Sequence, residues 1–212
     1  ALDTTARELA HTIAKHGVNA MGIYLGNPSV HNYGMMTHQS SLFRHTRTNN
    51  RFSATSVDQL PHHLVSLWLY GHKLLLPVPD VDNTDYFLML GANPLASNGS
   101  IWTVPDVKKR VSSMPARGGK RVVIDPRRTE TAALANEHHF IRPGTDALFL
   151  LAILHTLFAE DLVDTGHLTD FTTGLENVRT AIDSFTPEFA ARHTGISAAI
   201  VRSISRELAG AE

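Results

Sequence analysis

Cysteine is absent from all 212 residues, which excludes a disulfide framework and any cysteine-ligated iron–sulfur cluster or zinc site within them. Neither charge sign is in excess: 19 Lys and Arg oppose 20 Asp and Glu, for a formal net charge of -1. A near-neutral chain makes no global electrostatic case for nucleic acid or an anionic membrane as partner. No apolar run approaches the roughly 20 residues needed to span a bilayer, so no membrane segment is expected. The N-terminus lacks the basic and apolar regions of a signal peptide. It reads Ala1-Leu2-Asp3-Thr4-Thr5, without an initiator Met, and enters a helix-like pattern at once, as expected of a piece cut from a longer polypeptide. The expected location is cytoplasmic, with the periplasm left open because the native N-terminus is not represented.

What is present is ordinary for a globular protein: 42% apolar and 18% charged residues, on a length that allows one large or two small domains. Leu2, Ala6, Leu9, Ala10 and Ile13 recur at helical spacing before a Gly17 stop, and Ala20 to Leu25 reads as a short buried strand. Val30 to Asn50 is polar and predicts a short helix plus loop, and Arg51 to Asp58 an extended segment. Pro61 to Gly71 fits a helix with Pro in its first turn. Pro77 and Pro79 make Leu74 to Asp82 a connector. Then strands at Thr84–Leu90, Lys120–Ile124 and His138–Arg142 alternate with helices at Pro105–Arg117 and Asp146–Glu160. Short helices follow near 166–171, 175–184, 187–193 and 197–208. The alternation predicts an α/β, Rossmann-like fold. It has a mostly parallel sheet, helices on both faces, and a C-terminal run of short helices.

The strand ends carry the chemistry. Val122-Val123-Ile124 stops at Asp125-Pro126-Arg127-Arg128, and Met89-Leu90 stops at Gly91-Ala92-Asn93-Pro94. Leu25 stops at Gly26-Asn27-Pro28. In open α/β sheets, ligands gather outside the carboxyl ends of strands. Asp at such a place accepts hydrogen bonds from a guanine or ribose, Arg pairs with phosphate, and Gly admits backbone close to a ligand. Arg142-Pro143-Gly144-Thr145-Asp146 adds a turn at a helix N-terminus, a suitable anion or nucleobase platform, although Thr145 or Asp146 can equally be plain caps. The pairs His62-His63 and His138-His139 are poor chelators, because adjacent side chains diverge on a helix or a strand.

Gly91-Ala92-Asn93-Pro94, then Gly118 through Ala132, then Arg142-Pro143-Gly144-Thr145-Asp146-Ala147, in this order, resemble the molybdopterin-dependent oxidoreductases of the dimethyl sulfoxide reductase type. That superfamily includes formate dehydrogenases and nitrate reductases. The similarity extends through Tyr24-Leu25-Gly26-Asn27-Pro28, Phe52 to Gln59 and Asp183 to Ala190, nearly the whole chain. The resemblance implies a fragment of a catalytic subunit that holds bis-(molybdopterin guanine dinucleotide) with molybdenum or tungsten. Gly91, Asn93 and Pro94 would line one dinucleotide. Asp125, Pro126 and Arg127 would hold its guanosine and phosphates, and Gly144, Thr145 and Asp146 would complete the guanine pocket. It also implies that Asp58, in Val57-Asp58-Gln59-Leu60-Pro61, occupies the place of the family's protein ligand to the metal, making it the catalytic and metal-ligating candidate. A hard carboxylate oxygen suits a high-valent metal. Ser56 or Thr55 takes that place if the register shifts, a helix cap remains the other reading of Asp58, and a metal without any side-chain ligand is a further one.

The family layout implies that residues 1–51 belong to a partial α/β domain completed by later sequence, and residues 52–212 to a dinucleotide-binding domain. Its usual [4Fe-4S] domain would lie upstream. The parent enzyme would meet a small-molecule substrate and a redox partner and perform two-electron redox or oxygen-atom transfer. The alternative is a cofactor-free scaffold or electron-transfer subunit like the large iron–sulfur subunit of respiratory complex I, which has a related domain. An ordinary nicotinamide- or flavin-binding Rossmann domain would need a G-x-G-x-x-G turn, and none is convincing here.

Overall fold

A computed structural model describes every residue except 27, 28, 30, 100, 101, 103 and 212. The chain divides into two compact units, Ala1–Pro77 and Val78–Glu212.

In the first unit, α1 (Leu2–His16) ends where the Gly17 amide, at φ 84°, donates to the Ile13 carbonyl. A short 3-10 turn over Val18–Ala20 leads into β1 (Ile23–Leu25). Next comes α2 (Tyr33–Thr46), begun by Asn32, whose side chain accepts from the Met35 amide at 3.0 Å. The expected short helix plus loop is therefore a 14-residue helix. Its apolar residues are too sparse for a clear period, so the Asn32 cap is the local signal that starts it. β2 (Arg51–Ser53) pairs in parallel with β1, Ile23 opposite Arg51 and Leu25 opposite Ser53. The buried Thr48 hydroxyl donates to the Met21 carbonyl at 2.7 Å, and the Asn50 amide group donates to the Asn19 carbonyl at 2.7 Å. These bonds pin the approaches to both strands. The segment expected to stay extended to Asp58 does so only through Ser53; α3 (Thr55–Asp58) and α4 (Leu60–Tyr70) follow, the latter ending at Gly71 with φ 75°. The sequence boundary at residue 51 thus falls inside this unit.

The second unit is built on β3 (Tyr86–Leu90), α5 (Pro94–Ser97), α6 (Val107–Ser113), β4 (Lys120–Ile124), α7 (Glu130–Leu134), β5 (Glu137–His139) and α8 (Asp146–Ala159). Then come α9 (Leu175–Ile182), α10 (Pro187–Thr194) and α11 (Ala198–Ala209). β3, β4 and β5 form a parallel sheet in that order, with Leu90 opposite Ile124 and Ile124 opposite His139. Because side chains alternate along a strand, the sheet has two apolar faces. Tyr86, Val122 and Ile124 pack with Phe149 and Ile153 of α8, Ala190 of α10, and Val201 and Ile204 of α11. On the other face, Met89 and Val123 meet Ala132 of α7, and Phe87 reaches Val107 and Val111 of α6. A buried, near-continuous Val/Ile run such as β4 is what a parallel strand covered on both sides requires. The α/β fold with helices on both faces is as the sequence implied.

Where the strands begin, the sheet is tied by ions. Lys120 bridges Glu137 at 2.5 Å and Glu207 of α11 at 2.7 Å, and the Tyr86 hydroxyl donates to Glu207 at 3.0 Å. Burial, then the Glu207 carboxylate, push the Tyr86 phenol far up. Lys120 holds the Glu137 carboxyl below its ordinary value, helped by His139. Among the described residues, no helix is long and apolar enough to cross a membrane.

Candidate functional site

Where the strands end, three turns leave the same sheet edge. The Gly91 amide donates to the Ile124 carbonyl at 2.9 Å and the Asp125 amide to the His139 carbonyl at 3.2 Å, so each strand end is fastened to its neighbour. Gly91 has φ 61° and a Cβ there would meet nothing within 4 Å, so glycine serves the backbone angle and the space above stays open. Pro94 is buried and starts α5. Asn93 makes no cap; its Oδ1 accepts from the Thr131 hydroxyl at 2.7 Å and its Nδ2 donates to Glu130 Oε2 at 3.0 Å.

Asp125 is 6% exposed, yet its carboxylate faces no protein cation in any ion pair among the described residues. One oxygen accepts from the Arg127 amide at 2.7 Å, the short-range turn that Asp-Pro-Arg favours. His138 Nε2 donates to the Asp125 carbonyl at 3.0 Å, while His139 faces Glu137 at 3.0 Å. The two histidines therefore serve different partners, as their adjacency predicts. Pro126, Arg127 and Arg128 are exposed. Thr129 caps α7 by accepting from the Ala132 amide at 3.1 Å.

The third turn follows β5. Arg142 is exposed and its amide donates to the Thr194 carbonyl at 2.8 Å. Gly144 has φ 80° with open space at its Cβ position. Thr145 precedes α8 without capping it: its hydroxyl donates back to the Arg142 carbonyl at 2.6 Å. Asp146 is the first helical residue and half-buried. The 14-residue α8 thus begins with no side-chain cap; the Leu148 amide donates to the Thr145 carbonyl at 3.1 Å, and Asp146 places a carboxylate in the first turn.

Asp58 lies in the first unit, exposed at the end of α3. Among the described residues, no group of three or more His, Asp or Glu converges as a metal site. The Gly26-Asn27-Pro28 strand end lies partly outside the described residues, at Asn27 and Pro28. A cavity of about 370 Å³ in the second unit is bounded instead by Val78–Asp82, Trp102, Val104 and Pro105. None of the predicted site residues lines it. Sequence reading missed Thr131, Glu130 and the structural part of His138; only the Thr-Glu-Thr run just beyond Arg128 hinted at the first two.

Open glycine turns, a buried acid, exposed arginines and an uncapped helix start follow the carboxyl ends of parallel strands, the end at which α/β proteins gather ligands. Residues 1–197 match the molybdopterin oxidoreductase family model, so the chain belongs to that family. Formate dehydrogenase H of Escherichia coli (strain K12) is 33% identical over 135 residues, covering 64% of this chain and 18% of that protein. The dimethyl sulfoxide/trimethylamine N-oxide reductase of Cereibacter sphaeroides is 29% identical over 224 residues, covering 97% of this chain and 27% of that one. The chain therefore spans only about a quarter or less of these relatives. The fold matches that of acetylene hydratase from Pelobacter acetylenicus with TM-score 0.67 at 22% identity, over 96% of this chain and 27% of that chain.

Proposed function

We propose that the β3–β4–β5 edge binds the guanine-nucleotide arm of a molybdopterin guanine dinucleotide, within the catalytic polypeptide of a molybdenum or tungsten oxidoreductase. The observation that supports this reading is that the Gly91 and Asp125 turns leave neighbouring parallel strands at the same end of the sheet, with the Gly144 turn following the third strand. The donor set fits the group. Asp125 keeps one carboxylate oxygen free of the Arg127 amide, and guanine presents N1–H and N2–H donors to such an acceptor. Arg127 and the adjacent Arg128, both exposed, offer the planar fork that pairs with pyrophosphate, and Arg142 is exposed ahead of the Gly144 turn. Gly91 and Pro94 line the dinucleotide, and Gly144, Thr145 and Asp146 close the guanine pocket with the α8 N-terminus. In the first unit, Asp58 would be the candidate to offer a carboxylate oxygen to such a metal, and a [4Fe-4S] cluster would sit in another part of the enzyme.

The bound metal would supply two-electron redox or oxygen-atom transfer to a small-molecule substrate, with electrons exchanged with a redox partner. This chain's residues bind and orient. The exposed arginines and open glycine turns favour a ligand-binding role over a cofactor-free scaffold, which has no use for them. The test is metal and pterin analysis of the native polypeptide carrying this sequence. Stoichiometric molybdenum or tungsten with releasable guanine nucleotide is the expected result. Their absence from protein matured in its native host refutes the proposal.

A further inference from the structure

Two of the turns are fastened to each other by side chains, 37 and 38 residues apart in sequence. Thr131 is 1% exposed and lies one residue into α7, yet its hydroxyl points to the β3 turn, donating to Asn93 Oδ1 at 2.7 Å. The Thr131 hydroxyl oxygen in turn accepts from the Leu95 amide at 3.3 Å. Glu130 is exposed and accepts from Asn93 Nδ2 at 3.0 Å; that bond, first among its causes, holds the Glu130 carboxyl below its ordinary value. Asn93 thus engages a donor and an acceptor internally, with the amide orientation fixed by its partners' chemistry: a hydroxyl bonded to Oδ1 and a carboxylate to Nδ2.

We infer that Thr131 and Glu130 are positioning residues that hold the Asn93 turn at one fixed spacing from the Asp125 turn, so that the two grip a single dinucleotide. This rests on the proposed cofactor reading. It changes the part played by Asn93, which acts as the anchored link between turns more than as a free hand for the ligand. Binding across two turns depends on their separation, since a ligand bridging both loses contact at one when they drift.

The experiment uses the native polypeptide and follows release of pterin and guanine nucleotide over time, with apoprotein melting measured in parallel. Thr131→Val removes the hydroxyl at constant shape and is expected to speed release about tenfold, the factor a hydrogen bond of ordinary worth represents. Thr131→Ser restores the bond and should return release to near the parent rate. Glu130→Ala, at an exposed position that does not threaten folding, should speed release less than Thr131→Val does. Combining Thr131→Val with Asn93→Ala should add little to Asn93→Ala alone, because removing the Asn93 side chain already breaks the Thr131 bond together with the Glu130 one. Release at the parent rate in Thr131→Val and Glu130→Ala, with only apoprotein melting changed, overturns the inference while leaving the cofactor assignment standing. A parent protein with no pterin overturns both, and that is read before any variant is made.

Discussion

Replacing Asp125 by Asn separates the two tasks of that carboxylate. In the parent, one oxygen accepts from the Arg127 amide at 2.7 Å and sets the turn. Asn retains a carbonyl oxygen for that bond, so the turn keeps its form. The other oxygen becomes an amide NH2, which points a donor at the N1–H and N2–H donors of a guanine. Two charge-assisted hydrogen bonds are then lost, each worth about 1.5–3 kcal/mol. Their sum, about 3–6 kcal/mol, corresponds to roughly 10²–10⁴ in affinity. Asp125→Ala should do the same and in addition free the Arg127 amide. The assay is molybdenum or tungsten and pterin content per polypeptide after purification and extended dialysis, with circular dichroism confirming that the fold survives. Asp125→Asn should be folded and largely cofactor-free. Parent-level content that survives dialysis in both variants would refute the placement of guanine at Asp125.

The remaining predictions concern the scaffold. Phe149 is fully buried between the sheet and the C-terminal helices, and Phe149→Ala should destabilise by about 3–5 kcal/mol, read as a lower guanidinium midpoint; a change under ~1 kcal/mol would mean that this core is not packed as described. The Glu137 carboxyl is held below its ordinary value first by Lys120. Its folded pKa is depressed, so its contribution is present above the unfolded value, about 4.3, and is lost as pH falls through the lower folded value. The pair is partly exposed, so screening keeps the effect modest. Glu137→Gln should flatten the acid limb of melting temperature against pH, and an unchanged limb would assign the ion network no part in acid stability.

The sequence made the second unit largely legible because β4 is a continuous β-branched run with an abrupt polar end, and α8 is a strongly apolar helix before which Gly144 turns the chain. The Asp125 turn was visible for the same local reason, since Asp-Pro-Arg encodes its own hydrogen bond to the Arg127 amide. What was hidden depends on distance along the chain. Asn93 looked like a ligand contact because nothing near it in sequence reveals Thr131 and Glu130 as partners. Likewise Lys120 gives no sign of meeting Glu207, 87 residues on. In the first unit α2 was underestimated because its start is set by one side-chain cap, with little apolar rhythm to support it.

The charged groups at the start of the strands, Lys120, Glu137 and Glu207, satisfy one another, whereas Asp125, Arg127 and Arg128 at the finish enter no salt bridge among the described residues. On the proposed reading, this gives the second unit a working end and a holding end. Substitutions among the loops at the working end can retune what is grasped without loosening the buckle that keeps α11 strapped to the sheet. A lineage can therefore vary its chemistry at one end while inheriting its durability from the other.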